Sequence, residues 1–424
     1  MNMKQHLPAG ASCELRSIRT QSREARFEGN RFERIESADR LSETLRYLHQ
    51  GRLSTVSSSR PSSQEDMLRQ AQKMVPYGSP HTVEFVAEAE VRDLDLHCSD
   101  TLDSKQMIEM MGDFLSELRG LDSRLNVSTG INGSVYDVSL QTSNGFDHSY
   151  RKSSWSCMGG VELVQGDDLL MIYRSQSAIT PVLDLVKMKN EIAEILEYAK
   201  TVVDFNPGAY PVIFAPQEVG NIINPVVQSL NGLAVARGLS PWKDKLGQDL
   251  LDTRFNLVDD GSLPGGEASE PFDGEGTPTR RNLLVDQGRP TQLLLDRKTA
   301  ALLGKESSGN AGGRGTPQAH HLQLGTGSKS LQELISSIDY GLLIYDTMGA
   351  WSGNPYAGVV SGTVSLGLKI EKGQIIGRVK DCMFTINAFE HFARHLLDCS
   401  DKAEAIFGNL FPHVMLDEVV ISTK

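Results

Sequence analysis

Two stretches of this chain carry side chains whose types and spacing could do chemistry. The first is Leu257-Val258-Asp259-Asp260-Gly261-Ser262-Leu263-Pro264-Gly265-Gly266, continued by Pro271-Phe272-Asp273-Gly274-Glu275-Gly276-Thr277-Pro278-Thr279-Arg280-Arg281. Glycine and proline at this density demand special backbone geometry, and the carboxylates among them resist simple burial. Three chemistries are open. Asp259, Asp260, Asp273 and Glu275 offer hard oxygens to a cation such as Ca²⁺, although their spacing matches no EF-hand. The loop could instead be structural, with Gly261, Gly265 and Gly266 making turns and Arg280 and Arg281 balancing charge. Or its exposed backbone groups could pair with an extended peptide, as a strand added to a sheet edge.

The second stretch is Glu390-His391-Phe392-Ala393-Arg394-His395, with Asp398 and Cys399 nearby. His391 and His395 stand four apart, so on a helix they share a face and could chelate a metal. Against this, Arg394 opposes a cation, and Phe392 with Leu396 and Leu397 reads as a core stripe. Two further candidates are weaker. His320-His321 lies in a Gly/Ser/Thr-rich segment and reads as solvated loop. Gly325-Thr326-Gly327-Ser328-Lys329-Ser330 has the wrong glycine spacing for a phosphate loop, which excludes nucleotide binding on this motif.

The elements that must position these residues follow from periodicity. A chain of 424 residues exceeds a typical single core, so two domains are expected, residues 1–205 and 206–424, split at Asn206-Pro207-Gly208. The first sixty residues alternate short β-like runs with polar turns, and Ser54–Ser63 reads as a surface connection. Met107, Ile108, Met111, Leu115 and Leu118 recur at helical spacing behind an Asp103 or Ser104 cap. Tyr136, Val138, Leu140 and Thr142 alternate as a half-buried strand, and Val182–Val203 reads as a long amphipathic helix. The second half opens with a buried strand at Tyr210–Phe214 and a helix around Val219–Val235. Lys305–Ser330 reads as a long mobile loop, and Val364–Ile370 turns at Glu371-Lys372-Gly373 into a hairpin. The fold class this implies is α+β: an N-terminal mixed domain and a C-terminal domain rich in antiparallel β-structure.

Composition narrows the function classes. A hydrophobic content of 39% and a charged content of 23% are those of a soluble globular chain. A net charge of -12 argues against nucleic acid as a partner, and no apolar run approaches a membrane span. Five scattered cysteines without a Cys-x-x-Cys, and a start lacking a signal-peptide core, point to a cytoplasmic protein.

Read together, Asp259-Asp260-Gly261, Glu275-Gly276-Thr277-Pro278, Leu294-Leu295-Asp296-Arg297-Lys298-Thr299-Ala300, Gly309-Asn310-Ala311, Leu331-Gln332-Glu333-Leu334-Ile335 and Tyr340-Gly341-Leu342-Leu343 resemble the TldD/PmbA family. Glu33-Arg34-Ile35-Glu36-Ser37 echoes its opening hairpins. TldD members are zinc metallopeptidases, TldE/PmbA members their partner subunits, and an older description of the family is modulator of DNA gyrase. The resemblance implies that zinc, where present, is held by His-Glu-x-x-x-His on the helix after the first strand of the second domain. Aligned on Leu230-Asn231-Gly232, those positions are Ile223, Asn224 and Gln228 here, and no late cysteine ligand is found near Pro412–Leu416. In that departure the chain resembles TldE/PmbA, and the resemblance implies no catalytic residue, no cofactor of its own, zinc in a TldD-like partner subunit, and a heterodimer acting on unfolded or short peptides. It also favours the recognition role for the acidic loop, through Asp259, Asp260, Gly261, Glu275, Gly276, Thr277 and Arg281. Two rival readings are a stand-alone metallohydrolase using His391 and His395 with Asp398 or Cys399, and a homodimeric peptide-binding regulator.

Overall fold

The computed structural model describes residues 7–166, 168–312, 315–350 and 352–423. Two sheets dominate it. The first holds seven strands, β1 (Ala11–Glu28), β2 (Arg31–His49), β3 (Arg52–Ser58), β4 (Ser79–Pro80), β5 (Asn126–Thr142), β6 (Asp147–Gln165) and β7 (Asp168–Ala178). Their order is β4-β3-β2-β1-β5-β6-β7, antiparallel throughout. The short runs expected near the N-terminus are in fact continuous strands of 18 and 19 residues. Polar residues such as Arg23 and Arg40 do not interrupt them, because the backbone pairing runs through them while the side chains find solvent, as Arg40 does, or an acceptor, as Arg23 does in Leu102 O at 3.2 Å. Ser54 likewise lies inside β3, its hydroxyl donating to Ala71 O at 2.7 Å, so the Ser-rich connection shrinks to residues 59–63.

The second sheet has eleven strands: β8 (Gly208–Phe214), β9 (Leu257–Asp260), β10 (Arg281–Asp286), β11 (Arg289–Pro290), β12 (Leu322–Leu324), β13 (Tyr340–Met348), β14 (Val359–Glu371), β15 (Gln374–Val379), β16 (Cys382–Asn387), β17 (Leu396–Ile406) and β18 (Asn409–Thr423). Five of them, β8, β13, β14, β16 and β18, pair in a closed ring, because β18 meets both β16 and β8. Closure removes the free edges that would otherwise expose backbone donors. The fold is thus α+β, with the second sheet mainly antiparallel and β8–β13 and β12–β18 parallel.

Among the described residues, eight α-helices fill in around the sheets: α1 (Gln64–Met74), α2 (Ser104–Arg119), α3 (Leu185–Ala199), α4 (Pro216–Ser229), α5 (Gly232–Ala236), α6 (Arg297–Leu303), α7 (Leu331–Ser336) and α8 (Ala388–Arg394). Asp103 caps α2 in a reciprocal box with Gln106, and Met107, Met111, Phe114, Leu115 and Leu118 form its buried stripe. The helix lies so close to β6 that a Cβ on Gly159 would sit 2.4 Å from the Phe114 ring. α3 buries Met188, Ile192, Ile195, Leu196 and Ala199 in the same core as Ile213, Leu343, Leu366, Leu368 and Met415 of the second sheet. One apolar cluster therefore crosses the expected boundary. The two sheets are joined through it as parts of one packed body.

Candidate functional site, a cleft between the two sheets

The conspicuous acidic loop is closed. Asp259 is fully buried, and its carboxylate accepts Asn310 Nδ2 at 2.7 Å and the main-chain N–H groups of His320 and His321 at 2.7 and 2.9 Å. Asp260 accepts the N–H and hydroxyl of Ser262 at 3.0 and 2.8 Å. The Gly261 carbonyl takes Glu270 N at 3.0 Å and Thr279 Oγ1 at 3.1 Å. Asp273 is buried with three main-chain donors, Glu275 N, Thr277 N and Ala311 N, each at 2.9 Å. Burial pushes its carboxyl up to about 6, against the pull of those donors.

This geometry corrects the expectation of an open recognition edge at Asp259, Asp260, Gly261, Glu275, Gly276, Thr277 and Arg281. All but Arg281, which is exposed on β10, are buried or half-buried, and the loop plugs into the first sheet. Phe272 stacks edge-on against Phe146 and Tyr150 at 5.3 and 5.2 Å, in one cluster with Val86 and Leu140. Gly276 has φ +80°, and a Cβ there would lie 2.6 Å from Val86 Cγ1. Glu275 accepts Arg297 N at 3.0 Å and faces Arg46 of β2 at 3.9 Å. The fastening extends through Gly265 N to Leu94 O at 2.8 Å and Lys152 Nζ to Ser269 O at 3.0 Å.

The same network revises Lys305–Ser330. Ser308, Asn310, Ala311 and His321 are buried, β12 lies within the stretch, and Ser330 caps α7 with Glu333. The carboxylate of Asp259 anchors the segment's described residues at Asn310, His320 and His321, contacts between residues fifty or more apart that no local pattern carries. His320 and His321 are accordingly held rather than solvated: His320 Nε2 lies 2.8 Å from Gly309 O, and His321 Nδ1 meets Gly408 O.

The largest open volume among the described residues lies elsewhere; a second, of about 710 Å³, adjoins Pro271 and Tyr150. A cleft of about 830 Å³ separates the inner face of β1, β5, β6 and β7 from the start of α4, from β13 and from the β17–β18 turn. Glu24, Arg26, Asn132, Met158, Met171, Tyr173 and Arg174 line one wall, and Gln217, Glu218, Asn221, Tyr345, Asp346, Thr347 and Phe407 the other. Glu218 is buried, and its carboxylate accepts Thr347 N at 3.0 Å, Thr347 Oγ1 at 2.7 Å and Asn221 Nδ2 at 3.1 Å. Burial raises the pKa of Glu218 and of Asp346. The guanidinium groups are matched by carboxylates: Arg26 with Glu28 and Glu33 at 2.9 and 3.1 Å, and Arg174 with Glu191 at 3.6 Å while it stacks on Tyr345. Sequence reading missed this site, because Met158, Met171, Tyr173 and Phe407 stand in unremarkable strands and a turn. Their only signal is alternation, which marks a face without saying what it faces.

α4 borders the cleft with an amide stripe. Gln217, Asn221, Asn224 and Gln228 recur at helical spacing on the half-exposed face, whereas Ile223 is fully buried. Gln228 Nε2 donates to Asn224 Oδ1 at 3.4 Å. Zinc requires imidazole, thiolate or carboxylate donors, so the residues at Ile223, Asn224 and Gln228 do not fit it. The histidine pair fares differently again. α8 ends at Arg394, leaving His395 as its cap residue; the rings are 5.3 Å apart, and His391 places Nδ1 2.9 Å from Asn387 O and Nε2 3.3 Å from Glu418 O. Asp398 pairs with Lys329 at 3.0 Å, and burial pushes the Cys399 thiol up to about 12. Among the described residues, no group of three or more His, Cys, Asp or Glu converges to hold a metal ion.

Residues 207–423 match the family model described as the PmbA/TldA metallopeptidase C-terminal domain. The chain belongs to this family. It is 31% identical over 139 residues to the metalloprotease PmbA of Escherichia coli O157:H7, a match covering 33% of this chain and 30% of that protein. It is 25% identical over 185 residues to the metalloprotease TldD homolog of Buchnera aphidicola subsp. Acyrthosiphon pisum, covering 41% and 37%. These matches span roughly a third of the relatives' lengths. The solved structure of TldE from Thermococcus kodakarensis superposes with a TM-score of 0.87 at 21% identity, over 97% of this chain and 96% of that one. At that identity the likeness speaks for the fold alone. Among the described residues no helix of this family member is long and apolar enough to cross a membrane.

Proposed function

We propose that this chain is the non-catalytic, TldE/PmbA-like subunit of a heterodimeric metallopeptidase acting on unfolded or short peptides in the cytoplasm. The observation that carries the reading is the amide stripe of α4. Where the family resemblance puts a histidine, a glutamate and a histidine, this chain has a buried Ile223, and Asn224 paired with Gln228. The cleft beside that helix has a volume of about 830 Å³, and its lining offers no pairing of nucleophile and imidazole base. No histidine lines it, and its one cysteine, Cys157, has its thiol pushed up to about 11 by burial. In this reading a TldD-like partner contributes zinc and the water-activating base, while this chain contributes a wall that holds the peptide. The thiols Cys98, Cys157, Cys382 and Cys399 support a reducing compartment.

The test is reconstitution. The chain is purified alone and with a TldD-like metallopeptidase from the same source, and hydrolysis of an unfolded peptide is measured for each. The expected result is one co-eluting complex, with activity above that of either part. Zinc-dependent hydrolysis by this chain alone, lost in His391→Ala, would replace the subunit reading with a stand-alone hydrolase.

A further inference from the structure

Four large apolar side chains stand partly bare in the cleft: Met158 is 40% exposed, Met171 43%, Tyr173 39% and Phe407 76%. Three lie on one face of the β6–β7 ladder, where Gly160 pairs with Tyr173, Glu162 with Met171 and Met158 with Ser175. A Cβ on Gly160 would be 2.1 Å from the Tyr173 ring, so that ring lies flat across β6. Its hydroxyl donates to Glu162 at 2.6 Å, which holds it there.

Phe407 faces them from the opposite wall. It sits with Gly408 at the tip of the β17–β18 hairpin, where Ile406 pairs with Asn409, and the two tip residues have φ of +47° and +78°. A two-residue turn of this hand ordinarily takes Asn-Gly, and a bulky residue at the first position is strained. The tip is nevertheless fixed: the Gly408 carbonyl accepts from His321, and a Cβ on Gly408 would lie 2.6 Å from Ala268. A strained turn, anchored at Gly408, that presents an exposed phenylalanine on the lining of a cleft suits contact with something that enters it.

We infer that the cleft selects extended peptides by one large apolar side chain, taken between Phe407 on one wall and Met158, Met171 and Tyr173 on the other. This rests on the peptide-handling reading above. Methionine adapts to side chains of different shape, so the subsite accepts Leu, Met and Phe alike. Charge sets the flanking preference. Asp346 is the exposed carboxylate on a wall of a cleft whose Arg26 and Arg174 are already matched, so peptides with a basic or neutral neighbour enter and acidic ones do not.

The experiment measures binding of the full chain to fluorescent unstructured peptides that differ at one central position, Leu, Phe, Ser or Glu. Leu and Phe peptides are expected to bind about tenfold more tightly than Ser, with Glu weakest. Phe407→Asn, which suits the turn and keeps the chain folded, should bring the Leu/Ser ratio close to one, and Phe407→Leu should restore it. Equal binding of all four peptides, a preference that survives Phe407→Asn, or no binding at all would each overturn the inference. Pairing with the metallopeptidase is scored separately. A Phe407-dependent preference without pairing leaves this inference standing and removes the subunit reading; pairing without the preference does the reverse.

Discussion

Two regions lie between the sheets, and they are built on opposite principles. At the acidic loop, Asp259 and Asp273 have their carboxylates filled by main-chain and amide donors, and Phe272 is packed on every side. At the cleft, Phe407, Met158, Met171 and Tyr173 keep large apolar surfaces exposed beside Asp346. Satisfied polar groups and closed packing hold a structure together, whereas unfilled volume with uncovered apolar surface leaves room for a ligand. The loop with the most unusual composition is the fastening, and the open site is made from ordinary residues.

The contrast can be broken most forcefully at Phe272. Phe272→Ala should cost about 3–5 kcal/mol, because it empties a cavity among Val86, Leu140, Phe146 and Tyr150. Denaturant unfolding would show the loss, and a change under about 1 kcal/mol would mean the loop is not a fastening. Next in size is the pH response of Asp273, whose folded pKa of about 6 lies above its ordinary value of 3.8. The folded state therefore holds this proton more tightly than the unfolded chain. The group's contribution to stability is full below about pH 4 and declines as pH rises toward about 6. Asp273→Asn should flatten that slope while losing about 1–3 kcal/mol through the orphaned donors, read from melts across the range. A flat profile would show a normally ionising carboxylate, and a slope of the opposite sign one whose donors outweigh its burial. Smallest in stability is Met171→Ser in the cleft, expected within about 0.5 kcal/mol of the parent on thermal unfolding. A large loss there would mark Met171 as core and remove it from the site.

Legibility followed the range of the signal. The α2 stripe, its Asp103 cap, strand Tyr210–Phe214 and the Val364–Ile370 hairpin are set by neighbours a few residues apart, and the structure contains each. The helix expected at Val182–Val203 shortens to Leu185–Ala199, since Asp184 caps it by accepting Lys187 N. The stretch around Val219–Val235 becomes α4 and α5, divided where Asn231 caps the second. The mobility of Lys305–Ser330 and the exposure of the segment around Asp259 were misread because composition reports flexibility and charge, whereas order came from Asp259 reaching His320, His321 and Asn310.

By itself, then, the sequence determined the α+β class, the local caps and turns, the family likeness, and the amide character of Asn224 and Gln228. Those depend on residue identity and on spacing within one element. Only the tertiary structure decided that the acidic loop is buried between sheets, that β18 closes the ring with β8, and that Phe407 faces Met158 and Met171 across a cleft. These are meetings of residues tens to hundreds of positions apart, fixed by how two sheets and one shared apolar core pack together, and periodicity along a strand or helix contains no term for them.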